Sequence, residues 1–268
     1  MLVVSIVSHG HGPQVQALLC QMAALPGLQP VRVVLTLNQP EVGLTGLEQQ
    51  PWPFELVVHA NAQEQGFGAN HNQAFSLYAE PLETADEALF FAVLNPDVTL
   101  HDNPWPALLQ ALTPLDAGCA WPCQVDAWGQ AQDHERTLPT PASIAARALW
   151  MVGRRLRLAR HTPPGRADGA PDWGNAAFWL VRASVWRLLG GFDTRYFMYG
   201  EDVDFCLRLQ LAGWQLVRAS TRVTHAAQRN SRRNWKHFSW HVRSLLRLWR
   251  SPVYADYRRW KTINHLLK

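Results

Sequence analysis

The first hundred residues alternate short apolar runs with stretches of helical periodicity. Nearly continuous apolar runs predict four buried strands, at residues 2–7, 31–37, 54–59 and 88–94. Apolar residues at helical spacing predict helices at residues 14–25 and 66–78. Strands that alternate with helices in this way indicate an open, mostly parallel α/β sheet.

The second part of the chain has a less regular pattern. Residues 113–142 are rich in Pro, Gly and polar residues, which predicts irregular structure with a hairpin at residues 125–129. The other predicted elements are helices at 103–112, 143–160, 184–189 and 203–212, strands at 176–181 and 216–224, and a loop at 161–171. We therefore divide the chain into a body, residues 1–228, and a basic, largely helical C-terminal appendage, residues 229–268.

Composition agrees with one folded domain plus an appendage. The chain has 268 residues, 47% of them hydrophobic and 17% charged, so a sizeable core is available. The net charge of +4 is unevenly distributed, because residues 229–268 contain 11 Lys and Arg against one acid, Asp256, which leaves −6 for the body. A second acid-free basic stretch runs from Arg136 to Arg166. Such segments favour contact with an anionic partner: lipid headgroups, a pyrophosphate or nucleic acid.

The cysteines and the apolar runs bear on the compartment. The four cysteines have neither metal-binding nor redox-motif spacing, which indicates reduced thiols in a reducing compartment. The N-terminus lacks the basic region of a signal peptide, and the longest apolar run, residues 88–94, is far shorter than a membrane span. We therefore expect a cytoplasmic protein.

Three carboxylates lie within four positions of one segment, GGFDTRYFMYGEDVDFCLRLQLAGW at residues 190–214. Glu201, Asp202 and Asp204 stand between aromatic residues, so part of this acidic group must be buried. Buried carboxylates are costly unless they bind cations or move protons. The segment is therefore predicted to be a catalytic edge, and Asp204, one residue further in, is expected to anchor the following helix.

Polar residues follow several predicted strands. Ser8 and His9 end the first strand, and Asn95-Pro96-Asp97 ends the fourth. Since the carboxyl ends of strands line the ligand crevice of open α/β sheets, Asp97 is placed to hold a divalent cation, although Asn-Pro-Asp is also a favoured plain turn. GFGANHN, residues 66–72, either binds a phosphate or sugar hydroxyl or simply caps a helix. His225 follows the last strand, and it is either an additional metal ligand or a structural histidine.

Taken in order, these segments resemble the family-2 inverting glycosyltransferases of GT-A fold, in the rhamnosyltransferase-like branch of bacterial surface-polysaccharide synthesis. The resemblance is carried by VVSIVS, GFGANHNQAF, FFAVLNPDV, VDAWGQ with TLPTP, the highly specific segment from Asp172 to Trp214, and VTHAAQRNSRR. It implies a Rossmann-like open mixed sheet flanked by helices. It also implies that a sugar moves, with inversion, from a nucleoside-diphosphate donor to a hydroxyl of a glycan or lipid-linked sugar.

The resemblance also implies roles for residues. Asp202 matches the general base, with Glu201 as the alternative, and Asp97 with His225 matches the site of a Mg²⁺ or Mn²⁺ ion. The implied nucleotide-sugar contacts are Ser8, His9, Asn38, Gly66, Asn72, Asn95 and Asp97. The implied contacts to the acceptor or the donor sugar are Asp172, Trp173, Asn175 and Tyr199.

Two departures from the family leave the nucleotide base open. His9-Gly10 stands where the family usually has Tyr-Asn. Leu37-Asn38 stands where it usually has Asp-Asn, an acid often used to read the base. Rhamnose on dTDP is the donor suggested by the branch, with hexoses on UDP or GDP as alternatives.

Three further hypotheses concern partners. Basic residues interleaved with Trp and Leu at residues 232–250 favour an interfacial anchor on the inner face of the plasma membrane, and the alternative is a helix packed onto its own domain. A non-catalytic sugar-nucleotide-binding or scaffold protein of the same fold is opposed by the joint presence of Asp97, Glu201, Asp202 and His225. Nucleic-acid binding through the appendage is opposed by the acidic body, which would repel phosphates.

Overall fold

The computed structural model describes residues 1–82, 84, 88–155, 169–226 and 235–266. Its strands are β1 (Leu2–Ser8), β2 (Arg32–Leu37), β3 (Glu55–Ala60), β4 (Phe90–Leu94), β5 (Val98–Leu100), β6 (Ala117–Val125), β7 (Glu135–Arg136), β8 (Trp173–Gly174), β9 (Phe178–Arg182) and β10 (Gln215–His225). Its α-helices are α1 (Gly12–Ala24), α2 (Phe67–Ala74), α3 (Trp105–Ala111), α4 (Pro141–Arg155), α5 (Ala183–Leu189), α6 (Glu201–Leu211), α7 (Trp235–Trp249) and α8 (Pro252–Leu266).

Eight of the described strands form one mixed sheet in the order β3-β2-β1-β4-β9-β6-β10-β5. The strands β1 to β4 are parallel, and β9 runs antiparallel to its neighbours β4 and β6. β10 is parallel to β6, β5 is antiparallel to β10, and β7 pairs with β8 outside this sheet. The carboxyl ends of β1, β2, β4, β6 and β10 therefore lie at the same edge, where open α/β sheets bind ligands.

The predicted N-terminal elements are confirmed by the structure. The four strands begin and end within two residues of the predicted bounds, and so does the first helix. The predicted helix at 66–78 is α2, which continues as a wider π-helical turn at Phe75–Ala79. The hairpin predicted at 125–129 is confirmed by a bridge between Val125 and Ala131.

The prediction of irregular structure over residues 113–142 is wrong for β6, a nine-residue strand inside the sheet. Pro122 interrupts its apolar pattern and cannot donate a hydrogen bond to a neighbouring strand. The sheet accommodates this proline, because the register of β10 shifts between Arg218 and Arg222 opposite it, and pairing with β9 does not extend beyond Ala120. Tertiary pairing therefore overrides a local pattern that indicates a loop.

Two hydrophobic layers cover the two faces of the sheet. Because side chains alternate along a strand, Val4 of β1 packs with α1 and α3 on one face, whereas Val3 packs on the other. This second layer is rich in aromatic residues, including Trp179, Trp186 and Phe205. It holds α6, and with it the acidic segment, against the sheet.

The described part of the C-terminal appendage is helical, as predicted. α8 packs on α6 through the buried Tyr254 and Tyr257, and Leu248 of α7 is fully buried. The predicted anchor is thus corrected in part: Leu248 faces the protein, and Trp249 Nε1 donates to Pro139 O at 2.7 Å. Within the described residues, no helix has both the length and the apolar composition needed to span a bilayer.

Some predictions fall on residues outside those described. They are the end of the helix predicted at 143–160 and most of the loop predicted at 161–171. The boundary between body and appendage at residue 228 also lies outside, and it stays a prediction.

Candidate active site

Asp97 and His225 lie side by side at the carboxyl edge of the sheet. Asp97 follows β4 in the turn that leads into β5, and His225 ends β10, so the β5–β10 pairing brings them together. Asp97 Oδ1 is 3.4 Å from His225 Nε2. The backbone supports this turn, since Asn95 N–H donates to Ala177 O at 2.8 Å and Ala226 N–H donates to Asp97 O at 3.0 Å.

A relay of amides fixes the orientation of the His225 ring. Gln124, at the end of β6, donates from Nε2 to Asn175 Oδ1 at 2.6 Å, so its Oε1 points to His225 Nδ1 at 3.0 Å. An amide oxygen accepts but cannot donate, so His225 Nδ1 carries the proton in this pair and Nε2 faces Asp97. This is the arrangement that second-shell partners impose on metal-binding histidines. Asn175 was predicted to contact a sugar; its side-chain oxygen instead orients Gln124.

The pair of Asp97 and His225 fits a divalent cation that also binds phosphate. A carboxylate oxygen and an imidazole nitrogen are suitable ligands for Mn²⁺, and Mg²⁺ accepts few protein ligands beside substrate phosphates. Within the described ranges, no group of three or more His, Cys, Asp or Glu side chains is placed to hold a metal by itself. Phosphate oxygens of a substrate and water would complete the coordination of such an ion.

The residues after β1 and β2 form a polar network at the same edge. Asn38 is buried, and its Oδ1 accepts hydrogen bonds from Asn61 Nδ2 at 2.9 Å and from Gln65 N at 2.8 Å. Its Nδ2 lies 3.3 Å from Nδ1 of the exposed His9. Ser8 is buried, and its Oγ accepts from the backbone of His11. The predicted nucleotide contacts Ser8, His9 and Asn38 are therefore clustered, with His9 the most accessible.

Gly66 and Asn72 hold the loop that precedes the acids. A Cβ on Gly66 would lie 2.6 Å from Phe197 O, and Phe67 N–H donates to the same oxygen at 2.9 Å. Asn72 exchanges two hydrogen bonds with the backbone of Phe192, at 2.8 and 2.9 Å. Both were predicted to bind the nucleotide sugar; the structure instead places them against residues 191–197, and we infer a positioning role.

The three acids occupy the first turn of α6 in different environments. Glu201 is buried, and its Oε2 has no hydrogen-bond partner among the described residues. Asp202 is half-buried, and its Oδ1 accepts from Val203 N at 2.8 Å. Asp204 is buried in an ion pair with Arg208 at 2.6 Å, which matches the anchoring role expected for it. Asp202 is thus the most exposed of the three acids.

Burial raises the pKa of Glu201 and Asp202. For Glu201 the neighbouring Asp202 charge adds to the rise. For Asp202 the Val203 N–H and then the Arg136 guanidinium partly offset it. The ionised form is therefore better supported at Asp202, whose raised pKa suits a group that must accept a proton near neutral pH.

Tyr199 links the acidic segment to α7. Its φ of 70° is uncommon for a residue other than glycine, and such strain persists only where surrounding contacts impose it. Its ring stacks on His241 with centroids 3.6 Å apart, and its hydroxyl lies 2.9 Å from His237 Nδ1. Burial, Arg136 and His237 lower the pKa of His241 to about 4, so the stacked ring is neutral at pH 7. The two histidines were missed; their spacing of four on a predicted helix is the signal that could have found them.

Arg136 is a further residue that the sequence reading missed. It lies on β7 opposite Trp173, with its guanidinium 5.2 Å from the centre of the indole ring. Its charge acts on both Asp202 and His241. Trp173, a predicted pocket residue, is buried beneath it and donates from Nε1 to Thr137 O. An arginine beside the TLPTP segment was the available signal.

Asp172 occupies a different place from the predicted sugar pocket. Its buried carboxylate accepts from Lys261 Nζ at 2.6 Å, from Tyr257 OH at 2.8 Å and from Leu138 N at 2.6 Å. A carboxylate with three such donors is satisfied within the protein. Asp172 therefore joins α8 to the body, and the expectation that it contacts substrate is corrected.

The comparisons with known proteins agree with this architecture. Residues 168–262 match the model of "Glycosyl transferase family group 2". The chain is 27% identical over 252 residues to Rhamnosyltransferase WbbL of Escherichia coli K12, covering 92% of each chain. It is 28% identical over 276 residues to the N-acetylglucosaminyl-diphospho-decaprenol L-rhamnosyltransferase of Mycobacterium tuberculosis, covering 94% of this chain and 88% of the relative.

A solved structure shows the same fold at low sequence identity. The mannosyltransferase PcManGT of Pyrobaculum calidifontis, in complex with GDP-Man and Mn²⁺, superposes with a TM-score of 0.57 at 12% identity. The match covers 92% of this chain and 64% of PcManGT, so the chain spans under two thirds of that protein. The predicted GT-A fold is confirmed. Through the family match over residues 168–262 and the two relatives along most of its length, this chain is similar to the family-2 glycosyltransferases, and both relatives are named as rhamnosyltransferases.

Proposed function

We propose that this glycosyltransferase moves a sugar, with inversion, from a nucleoside diphosphate to a hydroxyl of a glycan or lipid-linked acceptor in surface-polysaccharide synthesis. The observation that carries the proposal is Asp202, a half-buried carboxylate at the start of α6. Rhamnose on dTDP is the proposed donor, because both relatives are named as rhamnosyltransferases. A lipid-linked diphosphate acceptor is proposed because the name of the mycobacterial relative includes such a molecule, N-acetylglucosaminyl-diphospho-decaprenol.

The acceptor hydroxyl must lose a proton as it attacks the anomeric carbon, and Asp202 is the proposed general base. The nearby Arg136 charge favours the ionised carboxylate. Glu201, which has the more buried carboxyl, favours its protonated form and is the alternative base. One base that acts on the face opposite the leaving group produces a single displacement, and therefore inversion at the anomeric carbon.

A divalent cation, Mg²⁺ or Mn²⁺, is proposed as cofactor, with Asp97 and His225 as its protein ligands. Such an ion would neutralise the charge of the leaving diphosphate as a Lewis acid. Gln124 holds the His225 ring in the tautomer that presents Nε2 to this site. Ser8, His9 and Asn38, on the neighbouring strands, are proposed to contact the nucleotide.

Peripheral contact with the cytoplasmic face of an anionic membrane is also proposed. Four apolar side chains of α7 stay exposed, and their spacing of three or four residues puts them on one side of the helix: Trp235, Phe238, Val242 and Leu246. Basic residues beside such a stripe are typical of an interfacial helix.

The first test is a thermal-shift panel of UDP-, GDP- and dTDP-sugars, each with and without Mn²⁺ or Mg²⁺. A ligand that binds only the folded state raises the melting temperature, so we expect a metal-dependent rise with one nucleotide. Asp202→Asn should keep that rise and lose turnover by about 10²–10⁴-fold, the usual contribution of a general base. Asp102→Asn, an exposed acid elsewhere, is the matched control and should be unaffected.

Two outcomes would contradict the proposal. Absence of a shift with every nucleotide sugar would favour a non-catalytic role for this fold. An Asp202→Asn variant that keeps most of its rate would remove Asp202 as the base, and Glu201→Gln would then be the variant that identifies it.

A further inference from the structure

A cleft of about 770 Å³ lies between the loop before the acids and the C-terminal helices. Phe197 and Met198 form one side, and residues 240–252 of α7 and α8 form the other. The contact between the sides is fixed, because Ser244 Oγ donates to Met198 O at 3.0 Å and the rings of Phe197 and Trp240 lie 5.1 Å apart. The cleft has the volume of a small-molecule site.

Arginine side chains supply the charge of this cleft. Arg243 and Arg247 of α7 line it together with Arg250, which directly follows that helix, and none of the three forms an ion pair with a carboxylate of the described residues. The fourth, Arg195, is already paired with Asp193 at 2.7 Å. No acidic residue lines the cleft. Three uncompensated guanidinium groups at a concave site favour an anion with several oxygen atoms, such as a diphosphate.

Apart from Ser244 and Ser251, the remaining lining is apolar, and it continues onto the protein surface. Phe197, Met198, Trp240 and Leu246 contribute to the cleft. Leu246 also belongs to the exposed stripe that runs along α7 to Trp235, which is 82% exposed. A ligand that matches both features carries an anionic group and a long apolar chain.

The cleft is adjacent to the proposed base along the chain. Met198 is followed directly by Tyr199, whose ring stacks on His241, and by the first turn of α6 with Glu201 and Asp202. The cleft therefore borders the segment that carries these acids. The diphosphate of a donor would instead be expected at Asp97 and His225.

We propose that this cleft binds the diphosphate of a lipid-linked acceptor, with Arg243, Arg247 and Arg250 on the phosphates and the lipid chain along the apolar stripe of α7. The proposal rests on the proposed function and specifies its acceptor. It commits to a diphosphate that carries an apolar chain, and a simple phospholipid headgroup is an outcome of the test.

The probe is farnesyl diphosphate, which is titrated into the full chain in the presence of saturating nucleoside diphosphate. Binding is followed by tryptophan fluorescence, because Trp240 lines the cleft. We expect Arg243→Gln/Arg247→Gln to weaken its binding by about 100-fold, about tenfold for each lost charge-assisted hydrogen-bonding group. Arg258→Gln/Arg259→Gln removes the same charge from exposed positions of α8 and should leave the affinity unchanged. Farnesol and inorganic pyrophosphate should each bind far more weakly than the complete probe.

Three results would overturn the proposal. The first is equal affinity of the two double variants for farnesyl diphosphate, and the second is complete displacement of the probe by nucleoside diphosphate. The third is an Arg243→Gln/Arg247→Gln protein that loses flotation with phosphatidylglycerol vesicles while it keeps its affinity for farnesyl diphosphate. The last would assign the arginines to a headgroup. Binding of the nucleotide sugar by wild-type protein is measured separately, so failure of the cleft is distinguishable from failure of the glycosyltransferase proposal.

Discussion

Replacing Gly66 by alanine tests whether the start of α2 positions the catalytic loop. The added Cβ would lie 2.6 Å from Phe197 O and 2.9 Å from Phe197 Cα. Ordinary van der Waals contact begins near 3.4 Å, so the loop backbone must move by about 0.8 Å. The backbone cannot yield as a flexible side chain would, and Phe197 is only five residues before Asp202.

Two effects of different size are expected from this displacement. Overpacking of this kind costs about 1–3 kcal/mol of the free energy of unfolding. A misplacement of about 1 Å near reacting groups costs about 10²-fold in rate. We therefore expect Gly66→Ala to lose most of its kcat while it remains folded at 25 °C.

The assay is steady-state transfer to an acceptor glycoside, with urea unfolding of the same preparation. Gly43→Ala is the matched control, because a Cβ at Gly43 meets nothing within 4 Å. Wild-type kcat in Gly66→Ala would refute the reasoning. An equal fall in kcat in the Gly66→Ala and Gly43→Ala proteins would also refute it.

Three further predictions follow from the site. Arg136→Met removes a charge that favours ionised Asp202, so the acidic limb of the kcat/KM profile should move to higher pH; an unmoved limb would contradict the coupling. Gln124→Leu releases the His225 ring and should weaken Mn²⁺ binding by about 10-fold or more, measured by electron paramagnetic resonance titration with nucleotide present; unchanged affinity would refute the relay. Lys261→Met leaves the Asp172 carboxylate without its cation and should cost about 2 kcal/mol in urea unfolding, less than a fully buried pair, because Lys261 is half exposed. A loss below about 0.5 kcal/mol, as for a surface pair, would contradict that role.

The sequence alone was sufficient for the features that depend on local patterns. Apolar runs located β1 to β4, since a strand that is buried on both faces needs apolar residues at nearly every position. The packing of Glu201, Asp202 and Asp204 into four positions marked the proposed catalytic edge, because the cost of burying carboxylates does not depend on the fold. The β6 strand was not predicted, because Pro122 and the polar residues around it form a local pattern that is typical of a loop. Its strand conformation depends on pairing with β9 and β10.

Only the tertiary structure decided which polar residues meet. Gln124 and His225 are 101 residues apart, and Asp172 and Lys261 are 89 apart, so no local pattern could distinguish a ring-orienting amide from a substrate contact or a structural carboxylate from a pocket residue. The same holds for Arg136, whose charge reaches Asp202 only after β7 has paired with β8. Hydrogen bonds act over a few ångströms and charge interactions weaken with distance. Strand order and helix packing, rather than the spacing along the chain, set those distances.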